Sequence, residues 1–182
     1  MNIVHIVGNR PQFIKLSLLH EALSIRPGVH SRVIHTGQHF SDNMSGAIFR
    51  DCGLPVPDLH LDIHSLPHNQ MIGRMLIALD AALAADRPDA VVVYGDTNTT
   101  LAGSLAAKKR SIPLMHVEAG IRTGDDLMPE EANRYLSDRM AELNFTCTTR
   151  CTANLLNEGI PGTRIIESGD LLLDAVLQFA ER

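Results

Sequence analysis

The 182-residue sequence predicts an α/β fold of the Rossmann type, a doubly wound parallel sheet. Short apolar runs rich in β-branched residues alternate with longer stretches of helical period. The runs are apolar nearly throughout, which is typical of parallel strands covered by helices on both faces. The length suits one domain with a substantial core, and no internal linker or repeat interrupts it. We therefore expect residues 1–182 to form a single Rossmann-like domain.

Six strands and six helices are predicted, each bounded by Pro, Gly, Asp or Asn or by a change of period. The strands are 2–7, 31–36, 89–95, 113–119, 143–147 and 164–168. The helices are 11–26, 68–86, 98–110, 129–141, 149–159 and 170–181. The segment 56–69 alternates as an extended chain does, and Pro67 interrupts its regularly spaced histidines, so we predict no metal site there.

Bulk properties exclude several classes of function. The net charge is −5 and the pI about 5.9, which argues against a nucleic-acid binder. No apolar run approaches the roughly 20 residues that cross a bilayer, and the first residues lack the pattern of a signal peptide. Three cysteines without a CxxC pair indicate reduced thiols. We expect a cytoplasmic protein without membrane contact.

Polar residues cluster where predicted strands end, and ligands of parallel sheets collect at that edge. The first such loop, "GNRPQFIK", places Arg10 and Lys15 at a helix start, a pairing suited to phosphate or simply to solvent. It matches neither a dinucleotide fingerprint nor a Walker loop. The second loop, "TGQHF", adds Gln38 and His39, which could bind a ligand or only their own backbone.

Two acids follow neighbouring strands at equivalent positions. Asp96 ends "VVVYGD" and Glu118 ends "LMHVE". Asp96 could simply help to cap the next helix, with Thr97 or Asn98 as the cap residue, or it could transfer protons in a cleft. Glu130 and Glu131 follow Pro129, where acids suit the N-terminus of a helix. That explanation does not extend to Glu118, which lies at the end of a strand. We predict that Asp96 and Glu118 form a functional acid–base pair.

The motifs "GNRPQFIK", "GQH", "GDTNTTLAGSLAA", "HVEAGIRTGD" and "MPEEANR", in this order, resemble those of the non-hydrolysing UDP-N-acetylglucosamine 2-epimerases. The resemblance covers the whole chain. It implies one half of a two-domain, glycosyltransferase-B-like architecture whose second, C-terminal UDP-binding domain is absent from these 182 residues. It also implies interconversion of UDP-GlcNAc and UDP-ManNAc by elimination and re-addition of UDP.

The resemblance also implies roles for individual residues. The catalytic acids would be Asp96, Glu118 and Glu130. Substrate-binding cations would be Arg10, Lys15, Arg122 and Arg134. A region that contacts a second, allosteric UDP-GlcNAc in bacterial members is matched by Gln38, His39, Gln70 and Arg74. No metal or other cofactor is expected, and the partners would be a UDP-sugar, the C-terminal domain and a second copy through the first domain.

Two questions stay open in the sequence. The connecting loop "GDDLMPEE" is closer to that of relatives acting on modified sugars, such as UDP-diacetamido-uronic acids, which leaves the exact hexosamine undecided. The chain could be half of an epimerase and inactive alone, or a non-catalytic module that binds a UDP-sugar. A glycosyltransferase of the same architecture is the third alternative.

Overall fold

The computed structural model describes residues 1–38, 49 and 51–180. In chain order its elements are β1 (Asn2–Val7), α1 (Arg10–Ser24), β2 (His30–His35), β3 (Leu59–His60), α2 (His68–Asp86), β4 (Ala90–Tyr94), α3 (Asn98–Lys109), β5 (Leu114–Ala119), α4 (Pro129–Met140), β6 (Leu143–Thr146), α5 (Thr149–Asn157), a 3₁₀ helix (Gly162–Arg164), β7 (Ile165–Glu167) and α6 (Leu171–Ala180). Every predicted strand and helix is present. The two-residue strand β3 was not predicted as a strand, although it lies in the segment 56–69 that was expected to be extended.

The seven strands form one parallel sheet in the order β3-β2-β1-β4-β5-β6-β7. The chain first winds outward from β1 to β3, then returns to the other side of β1 and continues outward from β4. The predicted doubly wound, Rossmann-like fold is therefore confirmed. The order reverses between β1 and β4, and the crevice at the carboxyl ends of those two strands is where such folds bind ligands.

Side chains of β1 alternate between two apolar cores, as expected for a strand covered on both faces. Ile3 and Val7 enter the core beneath α1, whereas Val4 and Ile6 enter the core beneath α2 and α3. All four are buried. Because helices pack on both faces of the sheet, the carboxyl ends of its strands are fixed in position and can orient the polar side chains that follow them.

Helix α2 has one buried stripe and an outer face that remains apolar. Met75 and Leu79 are fully buried, whereas Ile77 is 74% exposed. Over residues 1–38, 49 and 51–180, no helix combines the length and the apolar character needed to cross a membrane.

Candidate active site

The first acid, Asp96, stands two residues beyond the end of β4. Its carboxylate accepts hydrogen bonds from Arg134 Nε at 2.9 Å and Nη2 at 2.6 Å, and its carbonyl accepts one from Asn133 at 2.8 Å. The following helix is capped instead by Thr97, which forms a capping box with Thr100. The alternative in which Asp96 caps helix α3 is therefore wrong, and Thr97 is the cap residue as expected.

The second acid, Glu118, stands at the end of β5 in an unusual backbone conformation. Its φ is +72°, in the left-handed region, and the pairing of β5 with β6 shifts register between Val117 and Ala119. Such irregular strand ends re-aim a side chain, and strained residues of this kind concentrate at functional sites. The Glu118 carboxylate forms an ion pair with Lys15 of α1, whose side chain is only 4% exposed.

The ends of β4 and β5 lie side by side, as predicted. Gly95 N–H donates to the Val117 carbonyl at 2.9 Å. A methyl group added to Gly95 would stand 3.1 Å from Oε2 of Glu118. The Glu118 carboxylate thus occupies the space left by the missing side chain of the residue that precedes Asp96.

The first turn of α4 brings two more acids to this edge. Glu130, the predicted catalytic residue, is half-buried. Its neighbour Glu131 accepts hydrogen bonds from Thr123 N at 2.6 Å, Gly124 N at 2.9 Å and Arg134 at 2.8 Å. Burial raises the pKa of Glu131, but these bonds outweigh it and bring the pKa to about 2. Glu131 therefore shapes the loop before α4 as an anion at neutral pH.

The four predicted substrate-binding cations occupy different settings. Arg10 is exposed at the start of α1. Lys15 pairs with Glu118, and Arg134 bridges Asp96 and Glu131. Arg122 pairs with Glu158 at 2.7 Å and with Asp138 at 2.8 Å. The last three cations are thus committed to acids of this chain, and their contact with a substrate stays a prediction.

The residues assigned to an allosteric site lie in two places, the loop after β2 and helix α2. The Gln38 amide oxygen accepts hydrogen bonds from Thr99 N at 3.3 Å and Thr99 Oγ1 at 2.9 Å, at the start of α3. Gln70 and Arg74 are exposed on the first half of α2. His39 lies outside the described residues. The allosteric role of these residues stays a prediction.

Gln12 is a site residue that the sequence did not single out. It is buried, and its amide nitrogen donates to the Tyr94 carbonyl at 2.7 Å and to the hydroxyls of Thr97 and Thr100. Its amide oxygen accepts from Gly8 N at 2.7 Å. Gln12 thus ties the loop after β1 to the loop after β4. The quoted loop "GNRPQFIK" contains it, but only the fold shows what it contacts.

A second overlooked group lies beneath the acids. His116 and Asp138 are both fully buried and their side chains are 2.7 Å apart. Asp138 also binds Arg122 at 2.8 Å. Histidine in the middle of an apolar strand was the available indication in the sequence, since a buried imidazole requires partners. Within the described residues, no three His, Cys, Asp or Glu side chains are grouped closely enough to hold a metal ion.

The fold and this edge define a Rossmann-like domain with paired acids and cations at its topological switch point. Residues 21–182 match the family model described as UDP-N-acetylglucosamine 2-epimerase. The chain belongs to that family, as the sequence motifs indicated.

Individual relatives agree with this assignment. The chain is 45% identical to the UDP-2,3-diacetamido-2,3-dideoxy-D-glucuronate 2-epimerase of Pseudomonas aeruginosa, over all of this chain and 52% of the relative. It is 44% identical to the UDP-N-acetylglucosamine 2-epimerase of Methanocaldococcus jannaschii, over 98% of this chain and 48% of the relative. A crystal structure of a Methanocaldococcus jannaschii UDP-GlcNAc 2-epimerase with UDP-GlcNAc and UDP superposes with a TM-score of 0.97 at 43% identity, covering all of this chain and 51% of the other. The chain thus spans about half the length of these relatives.

Proposed function

We propose that this chain is the N-terminal half of a sugar-nucleotide 2-epimerase and supplies the acid–base residues of its cleft. The observation that carries the proposal is the pairing of Asp96 and Glu118 at adjacent strand ends, each held by its own cation. Arg134 fixes Asp96 at 2.6 Å, and Lys15 fixes Glu118. Relatives with matching sequence are named as 2-epimerases of UDP-sugars, which supports the same reaction here.

In the proposed reaction, one carboxylate removes the proton at C2 of the hexosamine while UDP leaves from C1. The product of this step is a 2-acetamidoglucal and UDP. UDP then returns to C1, and an acid delivers a proton to the opposite face of C2. Two proton-handling groups on opposite sides of the ring require two carboxyl groups. We assign Asp96 and Glu118 to this task, with the half-buried Glu130 as a third acid.

The cations suit the charge that develops during elimination. Arg10 is exposed at the start of α1, beside the switch point, where a pyrophosphate is favourably bound at a helix N-terminus. Lys15 and Arg134 lie directly beside the two acids, where their positive charge suits the negative charge that builds on the departing UDP. We propose that Arg122 acts from further away, because its guanidinium is held by Glu158 and Asp138.

Two substrates remain as candidates. UDP-GlcNAc is the sugar of most named relatives, whereas the Pseudomonas aeruginosa relative is named for a UDP-diacetamido-glucuronate. The identities of 45% and 44% do not separate the two. The short loop "GDDLMPEE", which includes the exposed Asp125 and Asp126, is closer in sequence to the loop of relatives that act on modified sugars. This similarity favours the modified sugar.

We also propose a cytoplasmic homodimer that contacts through α2. Ile77 is 74% exposed on a helix whose other face is buried, which supports a covered surface there. The three cysteines are free thiols, as suits a reducing compartment. For allostery, Gln70 and Arg74 are exposed on α2 and available to a second nucleotide sugar.

A complemented assay tests the function. This chain is mixed with the separately produced second half of the Methanocaldococcus jannaschii relative, and each UDP-sugar is followed by proton NMR. We expect epimerisation in the mixture and none by this chain alone, because half a cleft lacks the preorganised contacts that lower the barrier. The two halves of the relative, mixed in the same way, are the positive control. Turnover by this chain alone, or an inactive mixture beside an active control, would refute the proposal.

Asp96→Asn separates an enzyme from a binding module. The acid-to-amide change should abolish turnover in the complemented assay and leave UDP-sugar affinity within a few-fold. Asp174→Asn is the matched control, because Asp174 is an exposed acid on helix α6. If the complemented mixture binds the sugar but never epimerises it, the module alternative is correct. Sugar transfer to an acceptor without change at C2 would favour a glycosyltransferase.

A further inference from the structure

His116 occupies the middle of β5, two residues before Glu118, and is fully buried. Both nitrogens of its ring are bonded. Nδ1 lies 2.7 Å from Oδ1 of Asp138, and Nε2 lies 2.6 Å from the carbonyl oxygen of Gly95. These contacts connect β5 to helix α4 on one side and to the end of β4 on the other.

Both partners of the ring are acceptors. A backbone carbonyl can only accept a hydrogen bond. Asp138 forms an ion pair with Arg122 at 2.8 Å and accepts from Gly120 N at 3.2 Å through its other oxygen, so its carboxylate acts as an acceptor on both sides. A neutral imidazole carries one N–H and could satisfy only one partner, so both bonds together require the doubly protonated ring.

We propose that His116 is a positioning residue, an imidazolium that clamps the end of β4 to α4 and thereby fixes Asp96 beside Glu118. The ring nitrogens of His116 bond to Asp138 and Gly95 rather than to the carboxylate oxygens of Asp96 or Glu118. His116 therefore acts on Asp96 through the Gly95 carbonyl. The structural part of this inference is independent of the reaction. Its catalytic consequence depends on the proposed epimerase function.

Asp96 is fixed at two points, and both sets of contacts come from residues of helix α4. Asp138 and Arg134 are four residues apart on α4 and so lie on the same face. Through His116, Asp138 fixes the carbonyl of Gly95, directly before Asp96. Arg134 fixes the Asp96 carboxylate itself. A shift of Asp96 therefore requires breaking charged hydrogen bonds at both points.

The same clamp reaches Glu118 through the backbone. Gly95 uses its carbonyl to bind His116 and its N–H to bind the Val117 carbonyl at 2.9 Å. Because His116 and Val117 are consecutive residues of β5, these two hydrogen bonds tie Gly95 to β5 at two adjacent points. Glu118, with its left-handed backbone, is the next residue along β5, and the two bonds supply the firm surroundings that a strained residue needs.

The charges around the ring favour its protonated form. Burial lowers the pKa of His116, but the hydrogen bond and charge of Asp138, the Gly95 carbonyl and the charge of Glu118 outweigh it and raise the pKa above 6.5. Arg122 faces Asp138 from the other side and is itself neutralised by Glu158. A raised pKa stabilises the fold fully below pH 6.5, and this contribution is lost as pH rises through the folded-state value.

The protonation state can be measured directly in this chain with ¹⁵N-labelled histidine. Nitrogen–proton correlation spectra separate an imidazolium, whose two nitrogens resonate close together, from a neutral ring, whose nitrogens differ widely. At pH 6.5, where a free histidine is half titrated, we expect His116 to be predominantly doubly protonated. A neutral His116 ring at this pH would overturn the proposal, even if the chain proves to be half of an epimerase. An inactive complemented assay would leave this measurement unaffected.

Two amide variants test positioning. The His116→Gln side chain can still reach the Gly95 carbonyl, whereas the shorter side chain of His116→Asn can reach only Asp138. In the complemented assay we expect His116→Asn to lower kcat by about 100-fold, the scale for a catalytic group misplaced by roughly 1 Å, with KM nearly unchanged. His116→Gln should retain at least ten times more activity. Equal losses in the two variants, or losses that follow thermal stability alone, would contradict a positioning role.

Discussion

Arg134 directs two nitrogens at one oxygen of Asp96, Nε at 2.9 Å and Nη2 at 2.6 Å. The remaining nitrogen, Nη1, binds Glu131 at 2.8 Å, and Glu131 in turn holds the loop before α4. A planar guanidinium can bind two acids at once with fixed geometry, which a lysine ammonium cannot reproduce. The orientation of Asp96 therefore depends on one side chain of α4.

Arg134→Lys should lower kcat in the complemented assay by about 100-fold, because the charge remains while the geometry is lost. Arg139→Lys is the matched control. Arg139 lies on the same helix and is exposed, and its guanidinium binds the Glu158 carbonyl and the Tyr135 ring. A wild-type kcat for Arg134→Lys would show that Asp96 needs no fixed orientation.

Lys15→Met should destabilise this chain by about 3 kcal/mol, since it leaves Glu118 beside an apolar side chain without its cation. The double variant Lys15→Met/Glu118→Gln should recover part of that loss, because no unpaired charge remains. Urea unfolding of the four chains in the cycle measures both effects. If the single and double losses are simply additive, the ion pair carries no coupling energy and the contact is not significant.

Gly95→Ala tests the space that the Glu118 carboxylate occupies. The new methyl group would stand 3.1 Å from Oε2 of Glu118, and the residue has a φ of +60°. Gly159→Ala is the control, with a φ of +81° and no atom within 4 Å of the added methyl group. Both variants should lose about 1–2 kcal/mol of unfolding free energy to backbone strain. Only Gly95→Ala should lower kcat as well, and equal activity in the two would place Glu118 outside the chemistry.

Glu131 should make the fold sensitive to acid. Its pKa falls from 4.5 in the unfolded chain to about 2 in the fold, so its contribution is complete above pH 4.5 and is lost as pH falls from there to about 2. Glu131→Gln should therefore be less stable than the original chain at pH 6, and the difference should shrink in acid. Thermal unfolding of both chains between pH 6 and pH 2.5 checks this. A difference independent of pH would contradict the low pKa.

The sequence predicted the positions of the acids better than their partners. Asp96 and Glu118 could be placed together because the carboxyl ends of parallel strands share one edge, and each acid directly follows an apolar strand. Their cations could not be assigned, because Lys15 lies 103 residues from Glu118 and Arg134 lies 38 residues from Asp96. Such pairings depend on which helix crosses above each strand end, and a local pattern carries no such information.

Other features escaped prediction for local reasons. The positive φ of Glu118 arises from a register shift between β5 and β6, which no single strand encodes. Gln12 reads as an ordinary polar residue in a helical first turn until the loop after β4 folds over it. The residues most firmly embedded in the site were thus the hardest to recognise from sequence.

The exchange of hydrogen at C2 tests the central claim most directly. The complemented chain is incubated with the active UDP-sugar in deuterated water, and deuterium at C2 is followed by NMR and mass spectrometry. We predict that epimerised product carries solvent deuterium at C2, and that Asp96→Asn and Glu118→Gln each slow this incorporation by at least about 100-fold. Epimerisation without deuterium at C2, or exchange at the original rate in both variants, would contradict the claim that these strand-end acids move the proton.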